Sequence, residues 1–395
     1  MLSYRIGDIH PTKNRVKKNN KSGECGMKIK GVIGYVLVLM VVFSLVACGN
    51  SQSSSNEADT NVESPEVESL EVESSEVESS EVESPEVGNT EMTASSDSEE
   101  KVLSPEETPK VYMTTDISPE GLMAVYKSLD WTPEGNVAVK ISTGEPPASN
   151  YLKPELIKDL VQFVNGTIVE CNTAYGGSRS EIAMHMQVAK DHGFTDIATV
   201  DIMDADGSIS LPVEGGTHLK ENLVGAHFAN YDSFLVLSHF KGHQMAGFGG
   251  AIKNISIGIG SMEGKCLIHT AGNSHTSPWG GNQDDFLESM ADAGKAVSDS
   301  LGNGKNIVYI NVMNRISIDC DCNGNPAEPD IHDIGILAST DPVALDQACI
   351  DLVYAAEGRE ALVNRIEQMN GLHTLESAEE IGLGSRVYEL ESIDD

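Results

Sequence analysis

The 395-residue chain is poor in positive charge: 26 Lys and Arg stand against 61 Asp and Glu, a formal net charge of −35. Non-specific binding to nucleic acid is thereby excluded, because that affinity comes from basic side chains displacing counterions from phosphates. Cysteine is also scarce. The chain has seven, no two spaced Cys-x2-Cys, and there is none between Cys266 and Cys320. A ferredoxin-type [4Fe–4S] site requires such clustered thiolates and is excluded with them. Aromatic residues make up only 5%, but hydrophobic residues reach 39%, so part of the chain can build a core and the whole is not disordered.

What charge there is falls into distinct regimes. Residues 1–50 carry eight Lys and Arg against two acids, and residues 51–110 carry two against eighteen. From Met27, two lysines lead into a charge-free apolar run, Gly31 to Ala47, closed by Leu45-Val46-Ala47-Cys48. A basic start, an apolar stretch and a small residue before the cut make a secretory signal. With cysteine next, it resembles the bacterial lipoprotein lipobox, which implies cleavage before Cys48 and a lipid on its sulfur. The folded part would then sit at the bacterial cell surface, held to the cell membrane on its extracytoplasmic side. A plain membrane-spanning anchor is the alternative. Residues 1–26 read as an extension upstream of a start at Met27, and residues 27–47 as the signal peptide. Residues 48–110 contain five consecutive units, VESPE, VESLE, VESSE, VESSE and VESPE. Such a self-repelling polyanion buries too little apolar surface to offset its ordering entropy and is expected to be a disordered tether.

Residues 111–395 read as one α/β domain. Strand patterns are expected at 137–141, 167–171 and 196–201, with helices at 153–164 and 180–192 between them. Further strands are expected at 233–238, 306–312 and 333–338, and helices at 285–301 and from 342 to 356. Short links between alternating strands and helices predict a doubly wound, mostly parallel sheet with helices on both faces. The chemistry is then expected at the carboxyl ends of the strands.

The densest cluster of chemically versatile residues follows the strand ending at Ser238: His239-Phe-Lys-Gly-His243-Gln-Met-Ala-Gly247-Phe-Gly249-Gly250-Ala-Ile-Lys253-Asn254. Glycines there allow backbone N–H groups to approach a ligand closely. Two histidines four apart share a face if helical and could then meet one metal. Cys320-Asp321-Cys322 places two sulfurs on one side of an extended segment, suited to a soft metal with Cys171 or a histidine. The alternative is a disulfide from one of this pair to Cys171 or Cys266. Tyr175 to Arg179, between a strand and a helix, is either an anion-holding turn or a plain one. Asp201 to Ser208 lacks the bidentate Glu of a calcium loop and reads as a turn. Asp341-Pro342 is expected to start a long helix, with Asp346 near that helix's positive end.

The run from Ser238 to Asn254, Gly258 to Lys265, and Asp330 to Gln347 resemble the domain-of-unknown-function family 362, often described as iron–sulfur associated. A second, more distant likeness is to the nickel-pincer lactate racemases, carried by His243, Ala246-Gly247-Phe248, Lys253 and His269. That resemblance implies a nickel-pincer-type cofactor tethered to Lys253, nickel ligation by His269 and proton transfer by His243. Gly247, Gly249, Gly250 and Asn254 would line the cofactor, with His185 available as a second catalytic histidine. Metal ligands are expected among His269, His239, Cys320 and Cys322. No twin-Arg pair precedes the apolar run, so the chain is expected to be exported unfolded and to acquire any cofactor outside or carry it. Three readings follow: a lipoprotein acting on a small polar acid with a metal or metal-containing cofactor, a cysteine-based metal or redox protein, and a non-catalytic binder of a small anion.

Overall fold

The computed structural model describes residues 108–394. The signal peptide, Cys48 and the acidic repeat lie outside the described residues. Among the described residues no helix is long and apolar enough to cross a membrane.

The chain runs β1 (Lys110–Thr114), α1 (Pro119–Ser128), β2 (Val137–Lys140), α2 (Pro154–Phe163), β3 (Thr167–Glu170), α3 (Ile182–Asp191) and β4 (Val200–Ile202). A hairpin of β5 (Ser208–Pro212) and β6 (Glu221–Gly225) precedes β7 (Ser233–His239). Next come β8 (Lys241–His243), β9 (Gly247–Gly249), α4 (Ala251–Ser256), α5 (Met262–His269) and α6 (Gln283–Ser300). The last elements are β10 (Ile307–Met313), β11 (Gly335–Ser339), α7 (Pro342–Ala355), α8 (Glu360–Gln368), α9 (His373–Glu380) and β12 (Glu389–Ser392).

Eight strands form one sheet in the order β12-β1-β11-β10-β7-β2-β3-β4. The run from β10 to β4 is parallel, and β11 is antiparallel to both of its neighbours. The expected doubly wound, mostly parallel α/β fold is present. Along β7, Phe234 and Val236 pack on one face with Ile252, Phe286 and Leu345. Leu235 and Leu237 pack on the other with Leu122, Val125 and Ile157. Burial on both faces is why these strands read as unbroken apolar runs rather than alternating ones. The expected strand at 196–201 begins later: Gly193, at φ 85°, ends α3, Phe194 to Asp196 form a 3-10 turn, and β4 starts only at Val200.

Going out from β2, the chain order runs β3, β4 on one side and β7, β10 on the other, so the topology reverses between β2 and β7. In such sheets the crevice outside the carboxyl ends at the reversal is the usual ligand site.

The helix starts follow their capping residues. Ser118 accepts from the N–H of Gly121 ahead of Pro119, and Asp341 accepts from Val343 and Ala344 ahead of Pro342. Asp346 departs from its expected place. Its carboxylate does not serve the N-terminus of its own helix but reaches the start of α4. There it accepts from Ala251 N at 2.8 Å, Ile252 N at 2.9 Å and Asn311 Nδ2 at 2.7 Å. A Cβ on Gly250 would lie 2.2 Å from Asp346 Oδ1, so glycine is required beside this carboxylate. Asp346→Ala would leave two buried backbone donors unpaired and is expected to destabilise the domain by about 2–4 kcal/mol in chemical denaturation. A loss below about 0.5 kcal/mol, the size of a surface substitution, would contradict this role.

Candidate active site

The reversal point holds a cavity of about 390 Å³. β2 contributes Lys140, β3 Glu170, and the segment after β3 supplies Tyr175 and Arg179; β7 and β8 bring His239, Lys241 and His243. α4 adds Lys253 and Asn254, α5 adds Lys265 and His269, and the loop after β10 adds Cys320, Asp321 and Cys322. Trp279, 63% exposed, stands at the wall as well. His243, Lys253 and His269, far apart in sequence, therefore line one hollow.

Five bases, Lys140, Arg179, Lys241, Lys253 and Lys265, face it against two acids, Glu170 and Asp321. Three of the lysines donate to backbone carbonyls: Lys140 to Ile141, Lys241 to His239 and Lys265 to Gly260. Lys253 Nζ has no hydrogen-bond partner among the described residues. Burial, reinforced by the nearby Lys241 charge, lowers its pKa to about 7. Burial likewise lowers Lys140 to about 8, against the opposing pull of Glu170. Burial opposes ionisation of Glu170 too, but the His185 hydrogen bond and the Lys140 charge prevail and hold it well below the ordinary carboxylate range. Arg179 joins this network, 3.1 Å from Glu145 and 3.5 Å from Glu170.

The histidines differ in tautomer. His269 Nδ1 donates to Lys265 O at 2.7 Å, and its ring stacks on Phe286. A carbonyl only accepts, so Nδ1 carries the proton and Nε2 keeps a lone pair. Burial lowers the His269 pKa to about 4, which keeps that lone pair free near neutral pH. In His243, Nδ1 accepts from Ala246 N at 2.9 Å and Met245 N at 3.2 Å. Its single proton is therefore on Nε2. Burial, then the Lys253 and His269 charges, hold His243 neutral by lowering its pKa well below the ordinary value. One ring presents a donor and the other an acceptor.

Several expected site residues have other roles. His239 Nδ1 faces Asp321 at 2.8 Å and Nε2 faces Asn314 O at 2.7 Å, so neither nitrogen can ligate a metal. Burial opposes the charge on Asp321, but Lys241 and His239 overcome it and hold the carboxyl below its usual range. Cys320 and Cys322 are bonded to each other, not to Cys171 or Cys266, which are free buried thiols. Asn254 accepts from Lys140 Nζ at 3.0 Å and donates to Ser238 Oγ at 3.1 Å, so it positions Lys140 rather than a cofactor. Gly247, at φ 77°, packs against Gly371 and Ile366 outside the cavity, and Gly250 accommodates Asp346. Gly249 lies under the Lys253 side chain, where a Cβ would meet Cδ at 3.0 Å. His185 is buried behind the cavity wall, holding Glu170 at 3.0 Å through Nε2.

The donors present do not fit a protein-ligated metal in this oxidation state. Among the imidazoles that line the cavity, His269 alone offers an unprotonated nitrogen, whereas His243 holds its proton on Nε2 and the paired cysteines offer no thiolate. A ring nitrogen of His243 and both sulfurs do lie within 4.8 Å of one another, so reduction would bring two thiolates into the same wall.

Lys140, Glu170, Lys241, Lys265 and Asp321 were not singled out from sequence. For Lys140 and Glu170 the signal is a charge closing an apolar strand, in Val137-Ala-Val-Lys140 and Thr167-Ile-Val-Glu170. The tautomers are testable by ¹⁵N NMR of the imidazoles at neutral pH. His269 is expected protonated at Nδ1 only and His243 at Nε2 only; the reverse pattern would overturn the assignment.

No curated protein matches the chain. Two solved structures are similar. One is the lactate racemase apoprotein from Thermoanaerobacterium thermosaccharolyticum, at 13% identity and TM-score 0.38, covering 64% of this chain and 58% of that one. The other is a Thermotoga maritima protein, at 15% identity and TM-score 0.34, covering 68% and 59%. The chain thus spans less than two thirds of either, and likeness at this level carries no argument about activity. Residues 137–351 match the family described as "Domain of unknown function (DUF362)". That is more than half of the chain, from β2 through most of α7 and including every cavity residue named above, and the protein belongs to this family.

Proposed function

We propose that this protein is a lipid-anchored extracytoplasmic enzyme whose cavity binds a small carboxylate or phosphate anion and moves protons on it. The reading is carried by one observation: four buried bases and the partly buried Lys253 face the hollow against two acids in a chain of net charge −35. Uncompensated buried bases are costly unless an anion joins them. The remaining groups suit proton transfer. His243 Nε2–H can hold an anionic or carbonyl oxygen, as a neutral imidazole does when its pKa is depressed. His269 Nε2 can accept a proton, and Lys253 can exchange one near neutral pH. A tethered metal-bearing group would add hydride chemistry, with His269 Nε2 as the imidazole donor among the described residues, and the proton transfers do not depend on it.

Oxalate or phosphate is expected to bind with one-to-one stoichiometry by calorimetry. An anion favours protonated Lys253, so affinity should be greatest at or below about pH 7 and fall as pH rises above it. Lys265→Met should weaken binding on the order of tenfold. Absence of binding by both anions would remove this reading. The membrane anchor is tested separately: Cys48→Ser expressed in a bacterial host should lose partition into the detergent phase, and unchanged partition would exclude lipidation there.

A second reading, a metal or redox function of the Cys320–Cys322 pair, is favoured by its closeness to His243. After reduction, zinc should bind stoichiometrically to the native protein and not to the Cys320→Ser, Cys322→Ser variant. Equal metal content in the two would exclude it.

A further inference from the structure

We propose that Lys253 is a nucleophile whose Nζ condenses with the carbonyl carbon of a small 2-oxo carboxylate held in the cavity. The inference rests on the anion-binding reading and adds the substrate class and a covalent step.

The placement of the four cavity lysines carries it. Lys140, Lys241 and Lys265 each donate a hydrogen bond to a backbone carbonyl, which holds their Nζ atoms in place. Lys253 has no hydrogen-bond acceptor among the described residues, lies along the open face of Gly249, and has the charges of Lys241, Lys140 and Arg179 near it with Asp321 as the opposing acid. An amine in that position anchors an anion only while protonated, and the nearby cations disfavour that proton near neutral pH. What it offers is a lone pair, and desolvation beside other cations is a general route to a reactive lysine. The other four bases provide the charge that a carboxylate requires. A ligand that uses both features has a carbonyl adjacent to a carboxylate.

The step balances without any oxidant or reductant. The Nζ lone pair bonds to the carbonyl carbon as the carbonyl π bond breaks, giving a carbinolamine. Both hydrogens of the amine pass, by way of His269 Nε2, to the former carbonyl oxygen, which His243 Nε2–H steadies. That oxygen leaves as water while the C=N bond forms. One amine and one ketone become one imine and one water.

The test treats the full chain with pyruvate and cyanoborohydride, which reduces an imine irreversibly, followed by peptide mapping. The expected result is one adduct, of the mass of pyruvate less one oxygen atom, on Lys253, suppressed by oxalate. Acetone, a ketone without the carboxylate, should label on the order of tenfold less at equal concentration. Lys253→Met should lose the adduct, and a circular-dichroism spectrum and thermal transition matching those of the native protein show that its fold is intact. Adducts spread over surface lysines, or no adduct while oxalate still binds, would overturn the covalent step alone. Failure of oxalate to bind the native protein would instead overturn the anion-binding reading.

Discussion

Asp346 ties α7 to the first turn of α4, and the position of Lys253 depends on that tie. Its carboxylate takes both leading N–H groups of the short helix and the side-chain amide of Asn311 from β10. Burial pushes the Asp346 pKa up to about 6, against the pull of these donors. A six-residue helix has little stability of its own, so an external cap sets both its start and its direction. The glycines before it are explained the same way: Gly250 admits the carboxylate, and Gly249 leaves room for the lysine stem.

Around that anchor the sheet places charge where apolar strands end. Lys140, Glu170 and His239 are the last residues of three adjacent parallel strands, and each is buried. Backbone carbonyls and neighbouring acids satisfy most of the cations, and the arrangement concentrates the unsatisfied remainder on Lys253. Strong perturbation of a lysine that also lacks a partner is a mark of function more than of packing. The opposite tautomers of His243 and His269 arise equally locally. One ring ends a strand and meets the N–H groups of the turn after it, whereas the other ends a helix and meets the carbonyl one turn back.

Much of this was legible in the sequence. Apolar runs located the central strands, Asp341-Pro342 located α7, and the spacing of His243, Lys253 and His269 selected three residues that line one cavity. Other parts lay beyond pattern reading. The roles of His239 and Asn254 depend on partners distant in sequence, Asp321 and Lys140. The Asp346 cap joins residues 95 positions apart. Nothing in Cys-Asp-Cys reveals whether its sulfurs face a metal, another cysteine or each other. Lys140 and Glu170 were concealed by their strands, since a single charge after three apolar residues reads as a strand end.

The account depends most on Lys253 being uncharged and reachable near neutral pH. Competitive labelling with trace acetic anhydride across a pH range, read at the peptide containing Lys253, measures this directly. A midpoint of about 7 is expected. A midpoint near the ordinary lysine value of about 10.4 would contradict it.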